Sequence, residues 1–485
     1  MKTMDSRFRS TKRRRAMNRK RILTLVVVSV LAVLAIAVRF LWLDSKPGWE
    51  LDEVVYAKIT VNLMQDGYPW LTNGVRYLSH PPFFFELLKR WFEFTGVGIW
   101  QGRVLSAMTQ VIGFLALYFA LNKMVGRKGA LISTIFALFD GWIVFTGRIG
   151  WMENSLVILI VLSVWLYSEA VNHASMPLFV LAGILIGISA TYKHIGVFLF
   201  LAIPLFWLFT GRLRTKENLA ALVTAFIILF AYVGYMTYKW DGLYLTQTEN
   251  QLLRTLGQRY SPGLNYGFRE MVSAISSRYW IFFTDILVIV IGVPWTLVQA
   301  VKAIRGRYIG NSILLAWATA AIVFLSAISM KSPHYFILML VPLYALVGSK
   351  LKLSTRQTSA VLAIFVLMSL ITWTLRIASQ NDNLLKKVQN YAETQIPEDA
   401  VVFTTEPICS VIRQPNCIKL EGLTDDGVKA ALARADWVLE YQSTTQKFPK
   451  VLGGLQKDQI SGFKDTVTIF VQDDLAYFRA VCPQN

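Results

Sequence analysis

Acidic residues are scarce: the 485-residue chain has 30 Asp and Glu against 49 Lys and Arg, a formal charge of +19. Charged residues of all kinds reach only 16%, while 54% of the chain is hydrophobic. Soluble domains carry about 25% charged residues, so this composition excludes an ordinary soluble enzyme and a disordered chain alike. With only three cysteines, a small disulfide scaffold is excluded as well. A nucleic-acid partner would require the basic residues to line one groove or face. Here they punctuate long apolar runs, the pattern of a polytopic membrane protein.

A membrane span needs about 20 mostly apolar residues, because the hydrocarbon core is about 30 Å thick. Eleven runs qualify: residues 22–43, 104–122, 130–146, 155–171, 177–191, 195–210, 219–238, 280–301, 311–330, 334–349 and 358–376. Arg13, Arg14, Arg15, Arg19, Lys20 and Arg21 precede the first run and hold residues 1–21 in the cytoplasm. Parity then places four basic turns on the same side: Lys123/Arg127/Lys128, Arg212/Arg214/Lys216, Lys302/Arg305/Arg307 and Lys350/Lys352/Arg356. The first run is longer than a signal-peptide core and lacks a small-residue cleavage site, so it reads as a retained anchor. This organisation predicts a multi-pass plasma (inner) membrane protein with a cytoplasmic amino terminus.

The long polar segments fall on the opposite side: the loops 44–103 and 239–279, and the carboxy-terminal stretch 377–485. The latter alternates β-rich runs, Ala400–Thr404, Trp437–Tyr441 and Thr466–Val471, with polar turns. It reads as a small extracytoplasmic α/β domain beside the membrane domain 22–376. All three cysteines lie in it. Cys409 and Cys417 flank a turn containing Pro415 and Asn416, which suits a disulfide in an oxidising compartment and leaves Cys482 unpaired; three reduced thiols are the alternative.

Candidate chemistry begins just past the first span. Trp49-Glu50-Leu51-Asp52-Glu53 puts three carboxylates within four residues, costly near a bilayer unless solvated, paired or used. They also suit a helix start, with Asp52 capping an amphipathic stretch Val54–Met64. Tyr56, Gly67-Tyr68-Pro69, Tyr77-Leu78-Ser79-His80-Pro81-Pro82-Phe83-Phe84 and Arg103 follow in the same segment. Later come Thr146-Gly147-Arg148-Ile149-Gly150-Trp151-Met152-Glu153, Lys193, and Lys331-Ser332-Pro333-His334-Tyr335 leading to Pro342. By the derived topology all of these groups fall on the extracytoplasmic side.

Over roughly residues 40–350 this order resembles the C-type membrane glycosyltransferases that use polyprenyl-phosphate sugars. Protein O-mannosyltransferases and the lipid A aminoarabinose transferases are branches of that superfamily. The resemblance implies a C-type fold and a polyprenyl-phosphate sugar donor. Two departures bear on substrate choice. The aminoarabinose transferases have Glu-Lys where this chain has Ser79-His80, and Asp where it has Glu153.

A lipid phosphate is already a good leaving group, so the chemistry calls for cations and hydrogen-bond donors around it rather than a strong acid. Arg103, Lys193, Lys331, His334 and Tyr335 are the candidates for that cradle. The resemblance assigns Asp52 as the base for a hydroxyl acceptor, with Glu53 beside it. It gives Arg148 and Glu153 to positioning, and His80, where the chain departs from the family pattern, is a positioning group that can donate a hydrogen bond while cationic only in part near neutral pH. Transfer would reach a lipid, protein or glycan acceptor by single displacement with inversion, making the chain a hexosyl- or pentosyltransferase. No cofactor is implied, although Asp52, Glu53 and Glu153 could share a divalent ion. Arg103, Lys193 and Lys331 also read as helix-end anchors reaching the interface, and Tyr335 as an interfacial aromatic. Arg254, Arg259 and Arg269, interleaved with Tyr260, Tyr266 and Phe268, suit a lipid headgroup or interfacial docking. A transporter or flippase for a lipid-linked solute is the main rival. It should show internal repeats and charges near the bilayer midplane, and neither is evident. A non-catalytic subunit would leave the Asp52–Glu53 and His80-Pro81-Pro82 set unexplained.

Overall fold

The computed structural model describes residues 26, 29–71, 76–211, 214–255, 288–307, 310–328, 333–351, 354–375, 383–412, 415–420, 425–442, 458–461 and 466–471. Lys331, Arg259, Tyr260, Tyr266, Phe268, Arg269 and Cys482 lie outside these residues, and the side chain of Arg254 is not described.

Apolar helices dominate. Among the described residues four are long and apolar enough to cross a membrane: α4 (Ile99–Phe139), α6 (Glu153–His173), α9 (Thr215–Lys239) and α14 (Thr355–Trp373). Shorter apolar helices are α1 (Ser29–Phe40), α7 (Met176–Tyr192), α8 (Phe198–Phe209), α11 (Val293–Ile304), α12 (Ser312–Ala327) and α13 (Phe336–Lys350). On α9, Ile227 is 60% and Phe230 67% exposed. A water-soluble protein rarely leaves such a face bare; a bilayer covers it. The chain is an integral membrane protein.

Local chemistry sets the breaks between helices. In α4 the basic turn shrinks to one residue, Gly126, whose φ of 80° only glycine adopts freely, so two helical arms join there. The run 130–146 is not continuous. Asp140 leaves helical geometry, and its Oδ1 accepts from the Ile143 amide at 2.8 Å, starting the short α5 (Gly141–Gly147). Helices α7 and α9 pack at close range through Gly183 and Gly187. A Cβ on Gly183 would stand 2.3 Å from the Ala221 carbonyl, and one on Gly187 2.7 Å from Ile228 Cβ. Three basic turns share one end of the bundle. Asn311 Nδ2 bonds the Met124 carbonyl at 3.4 Å, and Gly129 packs on the Gly348 carbonyl.

At the other end lie α2 (Leu51–Asp66), α3 (Phe83–Thr95) and α10 (Leu243–Thr255). Helix α2 starts at Glu50, not Asp52: Glu50 is the N-cap, and its amide donates to Glu53 Oε1 at 2.8 Å in a capping box. Nor is α2 a simple amphipathic helix. Tyr56, Ile59 and Leu63 belong to the main apolar core, while Val54 belongs to a second core with Leu385, Val388, Ile408, Cys409 and Ile412.

That second core sits under a five-stranded sheet of order β2-β1-β3-β5-β4: β1 (Val402–Thr404), β2 (Cys417–Lys419), β3 (Trp437–Gln442), β4 (Asp458–Ser461) and β5 (Thr466–Val471). Strand β1 is parallel to β2 and β3, pairing Val402 with Cys417 and with Trp437, whereas β5 runs antiparallel to β3 and β4. Helices α15 (Leu384–Gln395), α16 (Glu406–Ile412) and α17 (Asp425–Arg434) complete the unit. Cys409 on α16 is disulfide-bonded to Cys417 on β2 across a Cα separation of 5.7 Å.

Candidate active site

Asp52 and Glu53 are neighbours in sequence but a helix turns about 100° per residue, so they diverge. Asp52 is exposed; Glu53 is 4% exposed and enters a closed knot. Arg103 Nε reaches Glu53 Oε1 and Oε2 at 3.2 and 2.9 Å, and the Gly150 amide donates to Oε2 at 3.0 Å. The rest of the Arg103 guanidinium donates to the carbonyls of Leu43, Pro47 and Gly48 at 2.8–3.0 Å. Arg148, fully buried, donates to Val38 O at 2.7 Å, Leu41 O at 2.6 Å and Lys46 O at 2.7 Å. The carbonyls at the end of a helix lack partners within it. Arg148 supplies them for α1, and Trp373 Nε1 adds a bond to Val38 O at 2.9 Å. The sequence reading puts Arg103 in the phosphate cradle and Arg148 beside the substrates. The structure turns both guanidinium groups onto backbone carbonyls and, for Arg103, Glu53.

A second cluster gathers residues from four places in the chain. Glu153 opens α6 and is 1% exposed. Its Oε1 binds Lys193 Nζ and lies 3.2 Å from His334 Nε2. Lys193 sits in extended backbone between α7 and a 3-10 turn, His194–Val197, its ammonium 5.5 Å from the Tyr335 ring centroid. His334 lies between rings, 4.9 Å from Trp151 and 4.5 Å from Tyr335. The other oxygen, Glu153 Oε2, is buried without a hydrogen-bond partner. Buried polar atoms are almost always satisfied, and among the described residues this oxygen is an acceptor without a donor. Asp52 stands one turn before Tyr56 on α2, which places it beside that ring at the edge of this cluster.

His80 closes the cluster from the loop before α3, its ring 6.0 Å from Tyr56 and 5.7 Å from Tyr77. Burial first, then the charges of Lys193, His194 and His334, push its pKa well below 6.5. It is therefore neutral at pH 7, rather than the partial cation expected from its type. Burial and the nearby carboxylates Asp52 and Glu153 likewise raise the Tyr56 phenol, which stays protonated. Glu53 and Glu153 each face a cation. Among the described residues no group of three or more His, Cys, Asp and Glu converges as metal ligands.

Several contributors had no signal, or an unused one, in the sequence. His194 follows Lys193 directly, and its Nε2 meets Tyr244 Oη at 3.3 Å. From α10, Gln247 holds the His80 loop: Oε1 accepts from the Leu78 amide at 2.7 Å and Nε2 donates to the Arg76 carbonyl at 2.8 Å. Nothing in the sequence marks Gln247. Tyr192, hydrogen-bonded to Ser155, packs its ring 5.5 Å from Phe83.

A helical membrane bundle, a basic and acidic cluster at one end and a small α/β unit packed on α2 together define a fold with known counterparts. Residues 79–236 match the sequence model of the family described as dolichyl-phosphate-mannose-protein mannosyltransferase. ArnT from Cupriavidus metallidurans bound to undecaprenyl phosphate has the same fold, with TM-score 0.66 at 15% identity over 92% of this chain and 98% of that one. Its apo form gives 0.67 at 15% identity over 93% and 99%. The oligosaccharyltransferase AglB from Archaeoglobus fulgidus, in complex with an inhibitory peptide and a dolichol-phosphate, gives 0.53 at 14% identity over 87% and 69%. No curated protein matches by sequence. The family match covers about a third of the chain, and the solved structures share its fold.

Proposed function

We propose that the chain transfers a sugar from a polyprenyl-phosphate carrier to an acceptor at the extracytoplasmic face of the membrane. The observation that carries this is the Glu153–Lys193–His334 cluster, with one buried carboxylate oxygen unsatisfied and the exposed Asp52 at its edge. ArnT binds undecaprenyl phosphate and AglB a dolichol-phosphate on the same fold, which supports a lipid phosphate as the anion here.

In this reading Asp52 takes the proton of an acceptor hydroxyl as its oxygen attacks the anomeric carbon. The bond from that carbon to the phosphate oxygen breaks, and the lipid phosphate leaves with the electron pair. Lys193, His334 and Tyr335, with Lys331 from outside the described residues, stabilise the departing phosphate. One displacement inverts the anomeric centre. With a phosphate acceptor the nucleophile is already anionic, and Asp52 positions it. Glu153 fixes Lys193 and offers Oε2 to a sugar hydroxyl, and neutral His80 acts as a hydrogen-bonding group. Arg103, Arg148 and Glu53 act at one remove, by holding the residues on either side of Asp52. Eleven spans, a cytoplasmic amino terminus and a plasma-membrane location complete the reading; the basic turns gathered at one end of the bundle support this topology.

Donor and acceptor are read most directly by mass spectrometry of glycans and lipids from a strain lacking the gene. Loss of one glycosylated product, with build-up of a polyprenyl-phosphate sugar, is expected. Unchanged glycans and lipids would contradict the proposal.

A further inference from the structure

We propose that the end of α11 is a binding site for an anionic glycerophospholipid, separate from the candidate active site. A groove of about 510 Å³ is lined by Leu297, Val298, Val301, Lys302, Arg305 and Arg307. It is apolar along the helix and basic at its mouth. Helical spacing puts Val298, Lys302 and Arg305 on one stripe, with Leu297 and Val301 on the next. The apolar members are open, with Leu297 41%, Val298 50% and Val301 47% exposed.

The basic mouth is built by the helix terminus. Gly306 takes a left-handed φ of 67°, its amide bonds the Ala303 carbonyl at 2.9 Å, and the Arg307 amide bonds back to the Lys302 carbonyl at 2.8 Å. This pair of bonds is a Schellman closure. It folds Arg307 back toward Lys302 and Arg305 instead of letting the chain carry it away. The negative end of the helix favours cations nearby, and membrane topology favours them in such a turn. Neither requires that three be brought together on an apolar wall with no acidic residue among the described residues lining the groove. An acyl chain on Leu297, Val298 and Val301, with a phosphate headgroup at the cations, satisfies both halves. Arg305 and Arg307 each present a fork that matches two phosphate oxygens.

The test is native mass spectrometry of the full chain released from phosphatidylcholine nanodiscs containing a minority of phosphatidylglycerol. Wild type should retain phosphatidylglycerol. The K302Q/R305Q/R307Q variant should retain on the order of a hundredfold less of it, at roughly 1 kcal/mol per basic residue near an anionic surface. L297S/V301S keeps every charge, hence the topology, and should also lose retention severalfold. K123Q/R127Q, on the adjacent basic turn, should retain phosphatidylglycerol like wild type. Equal retention of phosphatidylcholine would overturn the proposal, as would an equal loss in K123Q/R127Q, which would mean diffuse surface charge. So would unchanged retention in L297S/V301S, or displacement of the lipid by inorganic phosphate alone.

Discussion

Two polar clusters lie side by side where the helices open, and they differ in what is left over. Around Glu53, Arg103 and Arg148 the donors meet backbone carbonyls or a carboxylate. Around Glu153, Lys193 and His334 a buried carboxylate oxygen has no hydrogen bond among the described residues, and Asp52 stands exposed at the edge. A saturated cluster has no capacity for a ligand and serves to hold the chain; an unsaturated one has been kept open at a cost of about 1–3 kcal/mol. Residue type does not separate the two. Each contains a buried acid paired with a buried cation.

The largest effect that would break this contrast is on stability. Arg103→Leu leaves Glu53 buried and uncompensated, so it should destabilise the protein by about 3–5 kcal/mol. The double variant Arg103→Leu/Glu53→Leu should recover part of that, as measured by thermal unfolding in detergent. A stable Arg103→Leu protein with weakened donor binding would instead return Arg103 to the phosphate cradle. Next in size, Glu153→Gln should lower transfer by roughly 10²–10³-fold, the scale of one positioned electrostatic contact. It should lower the melting temperature less than Glu53→Gln does. The opposite order of melting temperatures would make Glu153 the structural member.

The smallest effect is on pH. Because the folded-state pKa of His80 is depressed below 6.5, the folded protein favours the neutral ring. The stability this contributes is present above pH 6.5 and lost as pH falls below it, by up to about 1.4 kcal/mol per pH unit. His80→Gln should therefore flatten the acid side of a melting-temperature profile between pH 5 and 6.5 and leave it unchanged from 7 to 8. A His80-dependent limb of the activity profile above pH 6.5 would show that the cation is used.

Much of the fold is written in runs long enough to average over local exceptions. The apolar blocks and the β-rich stretches at Ala400–Thr404, Trp437–Tyr441 and Thr466–Val471 reappear as helices and as β1, β3 and β5. The Cys409–Cys417 bond was readable because a Pro-Asn turn brings close residues together. The break at Asp140 was not, since one side chain capping a helix is invisible to an average over 20 residues. The divergence of Asp52 and Glu53 was not readable either. It depends on which face of α2 meets Arg103, a residue 50 positions away. The carbonyl partners of Arg148 are tertiary contacts with α1 and the turn after it, and no local pattern encodes them. His80 shows the same limit: its type sets the ordinary pKa, but its neighbours set the protonation state.

The most direct test of the central claim is an assay of the purified chain with a labelled polyprenyl-phosphate sugar and its acceptor, in wild type and Asp52→Asn. The account predicts a glycosylated product and free polyprenyl phosphate from wild type. In the variant the rate should fall by about 10²–10⁴, the range for a positioned general base, with an unchanged melting temperature. Cleavage of the sugar–phosphate bond at wild-type rate in Asp52→Asn would contradict it. So would a wild-type protein that moves the lipid-linked sugar across the bilayer without breaking that bond.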